Sequence, residues 1–199
     1  PRSLPVAVSP VLAGAALGFA RSGHIDLVAA LLVLAAALLM QVVTNLQNDV
    51  GYTVRGGEAS GTRIGLPRAT ANGWLSVPTV RGAIVGAVAL TMLLGLPLVL
   101  HSGLPVLLLG LASIVAALGY MGGRWPIAYT PLGELTVFVF FGLAAVCGSY
   151  FVFAGSVSPI IWMAAGAVGA HAAAVLAVNN YRDAEHDART GRRTFAASF

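Results

Sequence analysis

Residues 27–47 read LVAALLVLAAALLMQVVTNLQ, with no charged side chain and nothing polar before Gln41. As a helix rising about 1.5 Å per residue, this run is about 30 Å long, the thickness of a bilayer's hydrocarbon core. It gives way at once to Asn48, Asp49, Gly51 and Tyr52. A lipid-compatible segment that ends in a polar cluster is the unit from which the rest of the chain is read.

Five more stretches have the same character, at residues 6–20, 82–100, 104–121, 132–154 and 159–179. The first is short and follows Arg2. Pro5, Pro10 and Gly14 interrupt it, and no small-residue cleavage site followed by a soluble domain appears, so it reads as a span and not as a signal peptide. Of the 199 residues 58% are hydrophobic and only 9% are charged, against about 25% charged in soluble domains. An ordinary soluble globule is excluded, and so is intrinsic disorder. The 24 glycines and 10 prolines follow no Gly-X-Y period, which excludes collagen. The expected fold class is an all-α polytopic transmembrane helix bundle with six spans. One cysteine, Cys147, lies in an apolar run, so neither a disulfide framework nor a thiolate metal site is expected.

The basic side chains are eleven arginines and no lysine. Arg2 precedes the first span; Arg55, Arg63, Arg68 and Arg81 follow the second; Arg124 follows the fourth; Arg182, Arg189, Arg192 and Arg193 follow the sixth. Only Arg21 falls on the opposite side. The positive-inside rule then puts both ends of the segment and the two arginine-bearing loops between spans in the cytoplasm. The formal charge of +4 is accounted for by these loops, with no nucleic-acid partner implied. Small residues four apart (Gly14 and Gly18, Gly82 and Gly86, Gly166 and Ala170) mark faces where helix backbones can approach closely.

Two polar clusters follow the second and sixth spans. Asn45, Asn48, Asp49 and Tyr52 are spaced i, i+3, i+4, i+7 and share a helical face. Asn179 or Asn180, Asp183 and Asp187 again repeat at three or four residues and form a stripe continuing the sixth span. Carboxylates one turn apart are hard oxygen ligands suited to Mg²⁺, which is commonly shared with substrate phosphates. Arg63, Arg68, Arg124 and Arg182 beside them suit the remaining phosphate oxygens, in bidentate fashion. The plainer account is that these are interfacial polar residues satisfied by water. The recurrence of one composition on one side of the membrane favours an anionic diphosphate with an apolar tail among the helices.

Five segments, in order along the whole chain, resemble the UbiA superfamily of intramembrane prenyltransferases: PRSLPVAVSPVLAG (1–14), TNLQNDVGYTVRGG (44–57), RIGLPRA (63–69), GYMGGRWPIAYTPLGELTVFVFFG (119–142) and NNYRDAEHDARTGRRT (179–194). Asn48-Asp49 matches the head of the family's first aspartate motif, and Asp183/Asp187 with Asn179-Asn180 its D-x-x-x-D motif. The branch most similar is that of the 1,4-dihydroxy-2-naphthoate polyprenyltransferases of menaquinone synthesis. Two departures stand out. Tyr52 occupies the position where many members carry the last aspartate of N-D-x-x-D, with no acid before Glu58. The family has nine helices, whereas this chain starts at Pro1 and stops after six; residues 1–199 are expected to be one UbiA-like domain lacking its C-terminal helices.

The resemblance implies a Mg²⁺-dependent enzyme at the cytoplasmic face of a bacterial inner membrane. Asp49, Asp183 and Asp187 would hold the metal on the diphosphate of an isoprenoid donor. Asn45, Asn48, Asn179, Asn180, Arg63, Arg68, Arg124 and Arg182 would bind that diphosphate. Tyr120, Tyr129 and Tyr181 would neighbour the allyl cation or the ring of an aromatic acceptor, or serve as interfacial belt tyrosines; Tyr52, a further substrate neighbour, would hydrogen-bond the diphosphate or the ring, or simply pack. His171 and Gln41 are expected to hydrogen-bond neighbouring helices. Glu134 would orient Arg124 or serve as a helix N-terminal acid, and His186 lies off the aspartate stripe. The same fold with another acceptor (4-hydroxybenzoate, homogentisate, haem or chlorophyllide) is the nearest alternative. A transporter or channel bundle is disfavoured because the charges gather at span ends and almost none at span centres.

Overall fold

A computed structural model describes residues 3–57 and 67–199; Arg2, Glu58 and Arg63 lie outside them. The described residues are helical, without strands. Six helices are long and apolar enough to cross a bilayer: α1 (Leu4–Ser22), α2 (Leu27–Val54), α3 (Val77–Ser102), α4 (Leu104–Met121), α5 (Gly133–Ala154) and α6 (Pro159–Arg182). Two short helices follow, α7 (Ala184–Arg189) and α8 (Phe195–Ser198). The chain is therefore an integral membrane bundle.

Local chemistry sets the helix ends. Asp26 caps α2, accepting from the Val28 and Ala29 amides at 2.9 and 3.1 Å, and Ser76 caps α3 through the Thr79 amide at 3.2 Å. Such caps satisfy amides that the first helical turn leaves without partners. Gly103 alone links α3 to α4, with a positive φ of 75° that only glycine adopts freely. Pro10 and Pro97 sit within α1 and α3; neighbouring helices make such interruptions tolerable in membrane spans.

The observed helices overrun the sequence-based spans. α2 continues two turns beyond residue 47, so Asn48, Asp49 and Tyr52 are helical as expected. The stripe after the sixth span is not one helix: α6 ends at Arg182, and Asp183 is a joint (φ −96°, ψ 7°) before α7.

α1 lies between α2 and α5, α2 packs on α3 and α4, and α5 on α6. Val43, Val50, Val80, Ile84 and Ala117 join α2, α3 and α4. Val146, Cys147, Tyr150, Ile161 and Ala165 join α5 to α6, with Ala13 and Leu17 of α1 against them. Of the three small-residue pairs only one is used. A Cβ on Gly14 would lie 2.6 Å from the Val146 carbonyl oxygen and one on Gly18 2.9 Å from Phe153 Cβ. Gly82, Gly86 and Gly166 face open space, because spacing marks where a helix can be approached but not by what. A pair with no such spacing makes the tighter crossing. Gly142 of α5 meets Gly169 of α6, where a Cβ would come 2.7 Å from the Ala165 and Phe138 carbonyl oxygens respectively. α5 widens into a π turn over Phe138–Ala144 at this crossing.

The outer surface is apolar: Leu93, Leu100, Leu108 and Met163 are more than half exposed. That surface is compatible with lipid tails, and the polar groups collect at one end of the bundle.

Candidate active site

At that end α2 delivers a polar ladder. Gln41 Nε2 donates to Ser3 Oγ and Asn45 Oδ1, both at 3.2 Å, and Asn45 Nδ2 donates to Ser3 Oγ at 2.9 Å. Gln41 thus bonds across to the start of α1, as expected of it, and Asn45 is engaged in the same knot. One turn on, Asn48 Oδ1 is buried with no hydrogen-bond partner among the described residues. Asp49 accepts from the amides of Ala69 at 2.8 Å and Thr70 at 2.9 Å, and from the Thr70 hydroxyl. Its carboxylate pins the turn that carries Arg68, twenty residues further along the chain.

The other half comes from the end of α6. Asn180, 4% exposed, donates to Glu134 Oε1 at 2.8 Å, while Glu134 Oε2 is buried without a partner among the described residues. Asp183 receives Arg182 Nε and Nη2, each at 2.8 Å. After α7 the chain reverses at Gly191, whose φ of 75° only glycine takes readily, and Arg192 folds back. Arg192 Nη1 donates to both Asp187 oxygens at 2.9 and 3.0 Å, and its Nε to the Ala128 carbonyl at 2.9 Å. Burial pushes the Asp187 carboxyl above its ordinary pKa, against the pull of Arg192's charge and hydrogen bonds. For Arg192 burial alone would lower the pKa, but Tyr52 and Asp187 outweigh it and keep the guanidinium charged.

The halves meet at Tyr52, which packs with Met121 and Ala128. The Arg68 guanidinium lies 3.9 Å from the Tyr52 ring centroid and that of Arg192 5.3 Å from it. Arg55 reaches across from the end of α2 to the carbonyls of Met121 (2.8 Å) and Gly123 (2.6 Å), 5.6 Å over the Tyr129 ring. Burial raises the Tyr129 phenol pKa, opposed by Arg192 and Arg55. Tyr120 is within electrostatic reach of Arg192, Tyr52, Glu134 and Asp187. The result is a tyrosine floor ringed by guanidiniums, with carboxylates behind them.

With Asn48 one residue before Asp49 on α2, the residues Asp49, Tyr52, Arg68, Tyr120, Tyr129, Asn180 and Asp187 are thus drawn into one linked neighbourhood. Arg124 is not: it is exposed, 5.8 Å over the ring of Trp125, and Glu134 serves Asn180 instead of orienting it. Tyr181 is 79% exposed, and Asn179 is also exposed. His171 is exposed and bonds the Ala167 carbonyl of its own helix at 2.8 Å, not a neighbouring helix. Two residues that matter here, Arg192 and Arg55, were read from the sequence only as loop charges. The signal for Arg192 was Thr190-Gly191 after a helical stripe, a C-terminal stop that turns the chain back on itself.

The expected Mg²⁺ ligands do not form a cradle in this arrangement. Asp49 is committed to the Ala69–Thr70 turn, Asp183 to Arg182 and Asp187 to Arg192. Among the described residues no three His, Cys, Asp or Glu side chains are gathered as a metal site.

Six spans with arginines and tyrosines gathered at one end define a polytopic membrane protein with a polar cluster at the mouth of its bundle. The chain belongs to the UbiA prenyltransferase family, whose sequence profile matches residues 7–199. It is 38% identical over 200 residues to a 1,4-dihydroxy-2-naphthoate octaprenyltransferase of Escherichia coli, covering 98% of this chain and 64% of that protein. Proteins of the same name from Haemophilus influenzae and Mycobacterium tuberculosis are 34% and 37% identical, each over 98% of this chain and 66% of their own length. The chain thus spans just under two thirds of these relatives. No solved structure matches it.

Proposed function

We propose that the protein transfers a polyprenyl group from an isoprenoid diphosphate to 1,4-dihydroxy-2-naphthoate, at the cytoplasmic face of a bacterial inner membrane. The observation that carries this reading is the convergence of residues 45–52 and 179–192 on Tyr52. That convergence sets fixed cations beside an apolar bundle, in a chain similar to three proteins bearing that activity in their names.

The donor's tail would lie among the apolar helices and its diphosphate against Arg68 and Arg192. As the allylic C1–O bond breaks, the electron pair leaves with the diphosphate, and preorganised guanidiniums stabilise the charge it gathers. Tyrosine faces attract the allyl cation left behind. The naphthoate ring carbon bearing the carboxylate attacks C1, and loss of carbon dioxide restores aromaticity. Asn48 Oδ1 and Glu134 Oε2, acceptors without partners among the described residues, suit the acceptor's hydroxyl groups. Mg²⁺, which the resemblance implies, would share the oxygens of Asp183 and Asp187 with Arg182 and Arg192 or compete with them.

Membranes containing the chain, given a polyprenyl diphosphate and 1,4-dihydroxy-2-naphthoate, should yield a decarboxylated prenyl naphthoquinol by mass spectrometry. Product only with hydroxybenzoate, homogentisate, haem or chlorophyllide in the same assay would reassign the acceptor. No product with any of them would overturn the reading.

A further inference from the structure

Glu134 stands in the first turn of α5 with its two oxygens in unlike states. Oε1 accepts from Asn180 Nδ2 at 2.8 Å, and Asn180 is itself buried, so the carboxylate is held in one orientation. Oε2 is buried with no hydrogen-bond partner among the described residues. A buried carboxylate oxygen without a donor is costly, and a bound molecule offering an O–H would relieve that cost. The tyrosine floor lies beside it. A Cβ on Gly133, the preceding residue, would stand 3.5 Å from the Tyr120 hydroxyl, and Tyr120 packs with Tyr52, Met121 and Ala128.

The chemistry of the acceptor gives such an oxygen a task. Bond formation at C2 of 1,4-dihydroxy-2-naphthoate draws electrons from the adjacent 1-hydroxyl. Its proton becomes strongly acidic as the ring takes on ketone character. A carboxylate too weak to ionise a resting phenol is a competent base at that moment.

We propose that Glu134 is a catalytic residue, the base that takes the 1-hydroxyl proton as C2 attacks the allylic carbon and the acid that afterwards returns it. This rests on the prenyl-transfer reading. The allylic C–O pair leaves with the diphosphate, a ring π pair forms the new C–C bond, and the 1-hydroxyl proton passes to Glu134 Oε2. The product of that step is a 1-ketone with a carboxylate on the neighbouring carbon. Its bond to the carboxylate breaks, the pair flows through the ring to the ketone oxygen, and Glu134 returns the proton there as carbon dioxide leaves. Glu134 ends as it began. Asn180 is a positioning residue, engaging Oε1 so that Oε2 is left for the substrate.

Membranes containing the full chain are assayed across a range of pH with a polyprenyl diphosphate and 1,4-dihydroxy-2-naphthoate. Glu134→Gln should lower kcat about a hundredfold or more, with KM for the naphthoate within about threefold of the parent. It should also abolish the parent's fall in rate toward acid pH, whereas Asn180→Ala should lower the rate less and keep that fall. A parental rate in Glu134→Gln, a loss confined to KM, or an unchanged acid-side fall would each overturn the base while leaving prenyl transfer standing. No product from the parent with any acceptor would remove the prenyl-transfer reading and this proposal with it. Should Glu134→Gln lose its cooperative melt, the parent and 1-methoxy-4-hydroxy-2-naphthoate decide, since that isomer has no proton to give. Prenylated product from it sinks the proposal; inhibition of the parental reaction without conversion supports it.

Discussion

Asp187 and Arg192 hold opposite charges out of water, with side chains 1% and 6% exposed. Each is tolerable there only because of the other. Removing one partner of such a pair leaves an uncompensated buried charge and costs about 3–5 kcal/mol, whereas replacing both by apolar groups of similar size is often close to neutral. Asp187→Leu alone should therefore lower the thermal midpoint in detergent sharply, and Arg192→Met added to it should restore most of the loss. An additive double variant would show that the pair is not energetically coupled. The residue types at this site were legible in the sequence, since carboxamides, acids and tyrosines at helical spacing announce a polar face. Their partners were not. Asp49 reads as a free ligand until the chain twenty residues on is seen to close over it, and Arg192 reads as a loop charge until Gly191 turns it inward.

The spans themselves were readable to within a turn or two at each end, because a bilayer imposes a length and an apolar composition on each segment alone. How helices touch was not. Gly14 and Gly18 pack against α5, but Gly82, Gly86 and Gly166 meet nothing, and the closest crossing uses Gly142 and Gly169 on different helices. Gly169→Val should abolish the monodisperse peak in detergent size-exclusion chromatography, since its Cβ would sit 2.7 Å from the Phe138 carbonyl oxygen. Gly86→Ala should leave the peak intact and raise the thermal midpoint slightly, because alanine is the better helix former by about 1 kcal/mol. Equal tolerance of both would refute the close crossing.

Across the whole molecule the arginine asymmetry and the geometry agree. The described loops bearing Arg55, Arg68, Arg124 and Arg192 come to one end of the bundle, with Arg21 and the turn after α5 at the other. In a Cys147→Ala background, Ser156→Cys should react with a membrane-impermeant maleimide added outside intact spheroplasts. Ala71→Cys should react only after permeabilisation. The opposite pattern would invert the orientation and move the site to the outer face.

What the sequence by itself determined is whatever each segment settles with the solvent on its own: six lipid-length helices, the side to which the charges go, and the polar faces of α2 and α6. Only the tertiary structure decided which acids face which arginines. Asp49 became a loop anchor, Asp187 a counter-ion, and Tyr52 the contact of two guanidiniums. The reason is physical: hydropathy is a property of one segment in its surroundings, whereas a buried charge takes its role from the partner that folding brings within 3 Å of it.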